Sequence, residues 1–211
     1  MYTGVWIELS RLILVTGTPG VGKTTVSRII AEKLNGIHVD VGRVALEEGL
    51  TKGYSAENHS HIMDIERLSR RLGKIVKSSN CDVILDGHFI PKIYGFKPSL
   101  IYVLRCHPKI LRLRLKRKGY PENKIADNVA AELLDTCLYD ILSTFRLDKT
   151  VEIDTSKKKP AQVASLALKI LDDRIKLREV KIDWLHRLLV EGKLEEILHY
   201  IESQAPRMKI R

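Results

Sequence analysis

The chain reads Gly17-Thr18-Pro19-Gly20-Val21-Gly22-Lys23-Thr24-Thr25 between an apolar run at residues 12–15 and a segment with helical spacing at residues 26–34. This order of strand, G-x-x-x-x-G-K-[ST] and helix is the arrangement of a phosphate-binding loop, or P-loop. The glycines let the backbone curl, so that its N–H groups form a concave anion site at the start of the helix. The stretch therefore predicts a binding site for a nucleoside triphosphate.

The polar residues of the loop have separate predicted roles. Lys23 can reach the β- and γ-phosphates as a point charge, the Thr24 hydroxyl can be a ligand for Mg²⁺, and Thr25 can bond an inner phosphate. The predicted ligand-binding residues of this stretch are Gly17, Pro19, Gly20, Val21, Gly22, Lys23, Thr24 and Thr25.

Length and composition bound the class of protein. The 211 residues fit one domain with an appendage, and an apolar content of 44% is ample for a core. The first ten residues lack the pattern of a signal peptide, and no apolar run is long enough to span a membrane. Cys81, Cys106 and Cys137 form no C-x-x-C pair, which argues against a disulfide framework or structural zinc. We therefore expect a cytoplasmic protein that does not engage a membrane.

The net charge of +10 is more informative than the composition as a whole. Basic side chains concentrate at residues 105–118, at residues 157–159 and at the end of the chain. Such a balance suits a phosphate-rich ligand, a nucleic acid, or an assembly that contains nucleic acid. A solvated charged surface is the ordinary alternative for each of these runs.

Short apolar strands alternate with helices along the chain up to residue 173. We predict strands at residues 12–16, 37–41, 81–85, 100–104 and 150–153, and helices at residues 24–34, 42–50, 62–76, 108–118, 122–147 and 160–173. Residues 53–60 are predicted to be irregular. The alternation predicts an α/β fold of the P-loop NTPase type, with a five-stranded parallel sheet flanked by helices and the ligand at the carboxyl ends of the strands.

Residues 174–211 have the apolar spacing of one or two amphipathic helices with a break near Gly192. A basic tail with Arg207, Lys209 and Arg211 follows. We therefore divide the chain into a P-loop domain at residues 1–173 and a helical C-terminal extension at residues 174–211. The extension either packs on the sheet or serves as a partner-binding appendage.

Asp86 and His88 are the predicted partners of the P-loop. Asp86 closes the third apolar strand, as a Walker-B acid does, and it would hold the Mg²⁺ shell together with Thr24. His88 follows by two residues and would position a water or a phosphate oxygen, or accept a proton. The structural alternatives are a strand-capping aspartate and a histidine that only packs.

The basic segment after the fourth strand predicts a lid at about residues 106–121. Arg114 and Lys118 share a helix face by their spacing, and Gly119 allows a hinge. Mobile cations that close over phosphates neutralise the charge of the transition state. We expect Arg114, Arg117 and Lys118 to form this clamp, and an RNA-facing basic helix is a second, compatible interpretation.

The motifs around these sites carry a resemblance that is more specific than the P-loop. It is found in residues 16–25, Val41-Gly42, Glu47-Glu48, Gly53-Tyr54, Asp64, Glu66, Asp86-Gly87-His88, Val103-Leu104-Arg105, Arg114-Leu115, Gly119-Tyr120, Asp127-Asn128 and Glu132. In this order, they resemble the motifs of the adenylate kinase isoenzyme 6 family, which contains small adenylate kinase-like ATPases. The resemblance covers residues 12–172.

This resemblance implies more than the residues show by themselves. It implies a nucleoside monophosphate kinase-like fold with a short lid and a monophosphate-binding region at about residues 42–77. It implies reversible transfer of the γ-phosphate of ATP, with Mg²⁺, to AMP, together with ATP hydrolysis. It also implies a role in small ribosomal subunit assembly and rRNA maturation, with a small-subunit ribosomal protein and pre-ribosomal RNA as partners.

Two positions depart from the family's pattern. Leu46 stands where the family commonly has Arg before Glu-Glu, although Arg43 lies one helical turn earlier. Lys118 stands where the second lid cation is often Arg, and Lys cannot make the bidentate phosphate contact of Arg. Both departures concern AMP phosphorylation more than ATP binding. Two other functions therefore stay open: an ATP-switched ribosome assembly factor with little kinase activity, and a kinase for a small metabolite such as shikimate.

Overall fold

The computed structural model describes residues 10–55, 60–145, 147–173 and 181–204. The strands are β1 (Leu12–Thr16), β2 (Ile37–Asp40), β3 (Thr51–Ser55), β4 (Ser60–Met63), β5 (Val83–Asp86), β6 (Leu100–Arg105) and β7 (Thr150–Asp154). The helices are α1 (Lys23–Lys33), α2 (Val41–Glu47), α3 (Ile65–Ser78), α4 (Pro108–Arg117), α5 (Glu122–Leu133), α6 (Thr136–Thr144), α7 (Pro160–Leu171), α8 (Trp184–Val190) and α9 (Leu194–Gln204). A single 3₁₀ turn, Leu147–Lys149, precedes β7.

Five of the strands form one parallel sheet in the order β2-β5-β1-β6-β7. The central strand β1 is apolar and fully buried because helices cover both faces of the sheet. All five strands run in the same direction, so their carboxyl ends meet at one edge, where Thr16, Asp86 and Asp154 lie. The predicted P-loop NTPase type of α/β fold is therefore confirmed.

The core has two halves, one on each face of the sheet. Ile13 and Val15 of β1 pack into the half formed with α1, α4, α5 and α7. Leu12 and Leu14 point to the opposite half, which α2, α3 and α6 complete. Within the described ranges, each helix is too short or too polar to serve as a membrane span.

The described part of the C-terminal segment packs into the first half of this core. Trp184 and Leu188 of α8 and Ile197 and Tyr200 of α9 are buried in the cluster that contains Ile13. The basic tail at residues 205–211 lies outside the described residues. Residues 181–204 therefore pack on the sheet domain.

The structure differs from the predicted elements in the region of residues 51–65. Residues 53–60 were expected to be irregular, but β3 and β4 pair there as an antiparallel two-stranded sheet. Most residues of these two strands are exposed, so the sequence lacks the regular apolar pattern that would predict the pairing. A register shift also occurs between Thr51 and Gly53. The next helix begins at Ile65 and not at residue 62, because the Asp64 carboxylate caps it by accepting a hydrogen bond from the backbone N–H of Arg67.

The long helix predicted at residues 122–147 is also wrong. It is broken into α5 and α6 at Asp135, which adopts a left-handed conformation with φ of 56°. Asp is one of the few residues besides Gly that visit this region, and the Asp135 carboxylate is held by an ion pair with Arg105. The apolar spacing continues through the break, so periodicity alone does not reveal it.

Candidate active site

The P-loop connects the carboxyl end of β1 to the start of α1, as the sequence predicts. Gly17 has a φ of 136°, and a Cβ there would lie 2.2 Å from the backbone oxygen of Leu104. Gly20 has a φ of 94°, and its Cβ would lie 2.8 Å from a methyl group of Leu115 on α4. Both glycines are therefore required by close packing as well as by backbone conformation.

Lys23, the first residue of α1, folds back over the loop. Its ammonium group donates hydrogen bonds to the backbone oxygens of Gly17 (2.7 Å) and Thr18 (3.2 Å). Desolvation by burial lowers the pKa of Lys23, although nearby anionic groups such as Asp86 act in the opposite direction. The loop carbonyls thus hold this cation at the entrance of the anion site formed by the loop amides.

Asp86 lies at the end of β5, buried to 1% exposure. The hydroxyl of Thr24 donates to its Oδ2 at 2.8 Å, so the structure brings together the two residues predicted to hold a metal. Its second carboxylate oxygen, Oδ1, lies 2.6 Å from Nε2 of His38, a residue of β2. Sequence reasoning missed His38, because its contact with Asp86 depends on β2 lying next to β5 in the sheet.

The donor set fits a magnesium ion shared with a phosphate. A hydroxyl and a carboxylate are hard oxygen ligands, and Mg²⁺ usually takes few protein ligands and keeps waters and phosphate oxygens for the rest. Within the described residues, no cluster of three or more His, Cys, Asp or Glu side chains is suited to a metal. The described residues therefore do not form a site in which protein ligands alone would hold a transition metal.

His88 lies on the loop after β5, and its side chain is exposed at the rim of the site. Its backbone oxygen accepts a 3.5 Å hydrogen bond from the Thr16 hydroxyl, which joins the loop to β1. Desolvation by the surrounding protein lowers the pKa of His88, and the positive charge of Lys23 lowers it further. A neutral imidazole at this rim can accept a proton or hold a water.

A buried ionic network supports the P-loop from beneath. The Thr18 hydroxyl donates to Oε2 of Glu132 at 2.6 Å, and Nε of Arg105 donates to Oε1 of the same carboxylate at 2.9 Å. Arg105 also pairs with Asp135 and Glu152, so one buried guanidinium meets three carboxylates. Arg105 is therefore a structural cation of the core and not part of a mobile basic surface.

Arg114 holds the other side of the loop. Its guanidinium donates to the backbone oxygens of Val21 (3.4 Å), Thr155 (2.7 Å) and Ser156 (3.2 Å). The Thr155 hydroxyl also donates to Val21 at 3.0 Å, so α4 and the loop after β7 both contact the P-loop. Sequence reasoning missed Thr155 and Ser156, although they follow a strand that ends at the same edge of the sheet.

The other cations of the predicted lid separate into two groups. Lys109 pairs with Glu196 of α9, and the guanidinium of Arg112 stacks on the Tyr200 ring, with its carbon 3.6 Å from the ring centroid. Arg117 and Lys118, at the end of α4, are exposed. The segment at residues 105–118 is thus not a continuous basic surface.

Cys137 is a further residue at the site that the sequence did not indicate. Burial raises the pKa of its thiol, while the charge of Lys23 and a hydrogen bond with Thr18 act to lower it. The electrostatics of this thiol are thus linked to two P-loop residues that lie more than a hundred positions earlier in the sequence. In the predicted monophosphate-binding region, Leu46 is 50% exposed on α2. Nε of Arg43 lies 3.8 Å from Oε1 of Glu47 in an exposed ion pair.

A parallel sheet with a P-loop after its central strand, an acid at the end of the neighbouring strand and a basic helix beside the loop defines a P-loop NTPase. Comparisons with known proteins agree with this class. The AAA domain family matches residues 13–135. The solved structure of the Deinococcus radiodurans tunicamycin resistance protein is similar in fold, with a TM-score of 0.53, 20% identity and coverage of 80% of this chain and 97% of that chain.

Two archaeal relatives narrow the class, and both carry the name "Putative adenylate kinase". The protein of Thermococcus kodakarensis is 39% identical over 173 residues, which cover 82% of this chain and 92% of the relative. The protein of Pyrococcus furiosus is 38% identical over 192 residues, with coverage of 90% and 97%. The chain belongs to this adenylate kinase-like family.

Proposed function

We propose that the chain is an adenylate kinase that transfers the γ-phosphate of ATP, with Mg²⁺, to AMP and that also hydrolyses ATP. The observation that carries this proposal is the convergence of Lys23, Thr24 and Asp86 at the mouth of the P-loop, in a chain of the adenylate kinase-like family. Phosphoryl transfer needs little covalent help from the protein, so positioning and charge neutralisation supply most of the rate.

In this proposal, the P-loop amides bind the phosphates and Lys23 exchanges its bonds to the loop carbonyls for bonds to phosphate oxygens. Thr24 and Asp86 would hold Mg²⁺, which supplies neutralisation of phosphate charge when it is bound. His88 orients the attacking water or the acceptor phosphate from the rim. Thr25, which is exposed at the start of α1, contacts an inner phosphate.

The lid contributes positive charge. Arg117 and Lys118 are exposed cations at the end of α4, and we assign them to contacts over the phosphates. Arg114 already lies against the loop through Val21, and we assign its guanidinium to the phosphate charge as well. Charge that is placed before the reaction lowers the barrier because the protein need not reorganise during transfer.

The test is a coupled assay of ADP formation from Mg-ATP with and without AMP. We expect AMP to raise turnover, and we expect Lys23→Ala to abolish it, while Lys33→Ala at the far, exposed end of the same helix leaves it unchanged. If Lys23→Ala turns over ATP as the wild type does, the active-site assignment is wrong.

One structural feature favours a second function, an ATP-switched assembly factor with little kinase activity. The acceptor side offers the exposed apolar side chain of Leu46 and an Arg43 that is paired with Glu47. Turnover that does not respond to AMP, together with nucleotide-dependent capture of a ribosomal protein, would favour the switch. An acceptor screen of monophosphates against unphosphorylated metabolites, shikimate included, separates a small-metabolite kinase from both.

For the biological role we propose small ribosomal subunit biogenesis and rRNA processing in the cytoplasm. The support is the resemblance to the adenylate kinase isoenzyme 6 family and the net charge of +10. The expected partners are a small-subunit ribosomal protein and pre-ribosomal RNA. Co-purification of the chain with small-subunit precursors, and not with mature subunits, is the result that this role requires.

A further inference from the structure

The C-terminal segment reaches the support of the P-loop through Trp184. This residue begins α8, is buried to 1% exposure, and donates its indole N–H to Oε1 of Glu132 at 2.8 Å. The indole is also packed edge-on against the ring of His107, which caps α4. A residue of the extension is thus placed between the root of the predicted lid and the acid beneath the loop.

Glu132 connects Trp184 to the P-loop, because its carboxylate bonds both. Its Oε1 accepts three hydrogen bonds, from Trp184, from Nε of Arg105 (2.9 Å) and from the backbone N–H of Cys106 (3.0 Å). These bonds fix the carboxylate, and Oε2 is left to accept the Thr18 hydroxyl at 2.6 Å. Because the group is buried and charged, each of these bonds is stronger than a neutral bond at the surface.

Thr18 connects the acid to the ligand. It lies inside the P-loop and is buried to 1% exposure, and its backbone oxygen together with that of Gly17 holds the Lys23 ammonium. A shift of Thr18 therefore moves both a loop peptide and the cation that faces the phosphates. The path from Trp184 to Lys23 consists of hydrogen-bonded groups without a gap.

A second contact ties the same segment to the network. The backbone N–H of Ile182 donates to Oε1 of Glu152 at 3.4 Å, and Glu152 is one of the three acids paired with Arg105. The guanidinium of Arg187 lies 3.6 Å from Asp154 at the end of β7. Ile182 and Arg187 thus connect the described part of the extension to two acids of β7, Glu152 and Asp154.

We propose that Trp184 is a positioning residue of the phosphate site, which acts through Glu132 on Thr18 to hold the P-loop in its anion-binding conformation. This inference rests on the proposed function only in that the P-loop binds a nucleotide. It gives the C-terminal extension a role in nucleotide binding in addition to its packing against the core.

The first test compares Trp184→Phe with the matched control Ile197→Val. Phe keeps an aromatic ring but has no N–H to donate, whereas Ile197→Val removes one methylene from the same buried cluster and leaves Glu132 untouched. We expect Trp184→Phe to raise the dissociation constant for ADP, measured calorimetrically, about three- to tenfold and Ile197→Val to leave it unchanged. Equal ADP affinity in Trp184→Phe and the wild type overturns the proposal.

A double-mutant cycle tests the path itself. Thr18→Val keeps the side-chain shape and removes the hydroxyl that Glu132 accepts from. If Trp184 acts through Thr18, adding Trp184→Phe to Thr18→Val has no further effect on ADP affinity. If the two effects on affinity multiply independently, Trp184 does not act through Thr18 and the proposal fails.

A spectroscopic readout keeps the proposal testable if Trp184→Phe does not fold. In a Trp6→Phe background, Trp184 supplies the one indole N–H resonance of the chain. We expect this resonance to shift when ADP binds and also when Thr18→Val is introduced without nucleotide. No shift in the second case overturns the coupling, while failure of the wild type to bind ADP at all contradicts the proposed function and not the coupling.

Discussion

Replacement of Glu132 by Leu is the sharpest test of the buried network. The Glu132 carboxylate is 1% exposed and its partner Arg105 is 2% exposed, so neither charge reaches water. Removal of the carboxylate leaves three N–H groups at Oε1 and the Thr18 hydroxyl without an acceptor. Breaking a buried ion pair by deleting one partner costs about 3–5 kcal/mol of the free energy of unfolding.

The structure places Glu132→Leu near the middle of that range. Arg105 keeps Asp135 and Glu152 as counter-charges, which limits the cost, whereas the unpaired donors add to it. We therefore expect a loss of about 4 kcal/mol, measured by urea denaturation followed by circular dichroism. Because a domain of this size is typically stable by about 5–15 kcal/mol, the variant remains measurable.

Two control variants calibrate this measurement. Glu132→Gln keeps an oxygen for the three N–H groups, and Thr18 can turn to accept from the amide, so we expect a loss of about 1–2 kcal/mol. Arg70→Ala breaks an exposed pair with Glu66 on α3, for which we expect less than about 0.5 kcal/mol. A loss below about 1 kcal/mol for Glu132→Leu would refute the role of the carboxylate as a buried structural anion.

Three further changes test other features. Gly17→Ala places a methyl group against the Leu104 oxygen, so we expect a loss of about 2–5 kcal/mol in urea denaturation, and an unchanged midpoint would contradict the close approach. Burial lowers the pKa of His107 below its ordinary value of 6.5, so the unfolded state takes up its proton first as the pH falls. The free energy of unfolding should therefore decline as the pH falls through 6.5 towards the lowered pKa, and more steeply in the wild type than in His107→Asn; equal slopes would refute this. Tyr102→Phe removes a buried hydroxyl that donates to a backbone oxygen of α7 at 2.5 Å. We expect the free energy of unfolding to fall by about 1–2 kcal/mol, and an unchanged value would count against that bond.

The central strand and the P-loop could be predicted because their sequences are compatible with few local structures. An unbroken apolar strand before the P-loop is buried on both faces, and parallel strands bring Thr24 and Asp86 to the same edge. Neither inference requires knowledge of which strand lies beside which. The placement of the P-loop and Asp86 at one edge thus follows from local sequence and strand direction, whereas their direct contact also depends on β5 lying beside β1.

The contacts that the sequence did not predict depend on strand order and on breaks in periodicity. His38 meets Asp86 because β2 is the neighbour of β5, which the order along the chain does not specify. By sequence, Arg105 belongs to the basic segment at residues 105–118, but in the structure it ends the apolar strand β6 and is paired with three acids. A charged residue that ends a fully buried strand is a signal for such a network, because a lone buried charge is too costly.

The remaining difference lies in β3 and β4, whose paired residues are mostly exposed and do not alternate regularly between apolar and polar side chains. Strand prediction depends on the alternation of apolar and polar side chains, and this region has little apolar surface to bury. The exposed Tyr54 packs edge-on against His61 across the pair, with ring centroids 5.3 Å apart. Cross-strand contacts of this kind stabilise a pair without any hydrophobic pattern along the sequence.

The position of Trp184 has a consequence for synthesis of the chain. The P-loop is translated early, but the acid beneath it comes 114 residues later and the indole that holds this acid comes 52 residues after that. Contacts of such long sequence separation form slowly. Under the proposed role of Trp184, a nascent chain whose P-loop has already left the ribosome therefore reaches its full nucleotide affinity only after α8 has been delivered and Trp184 has bonded Glu132.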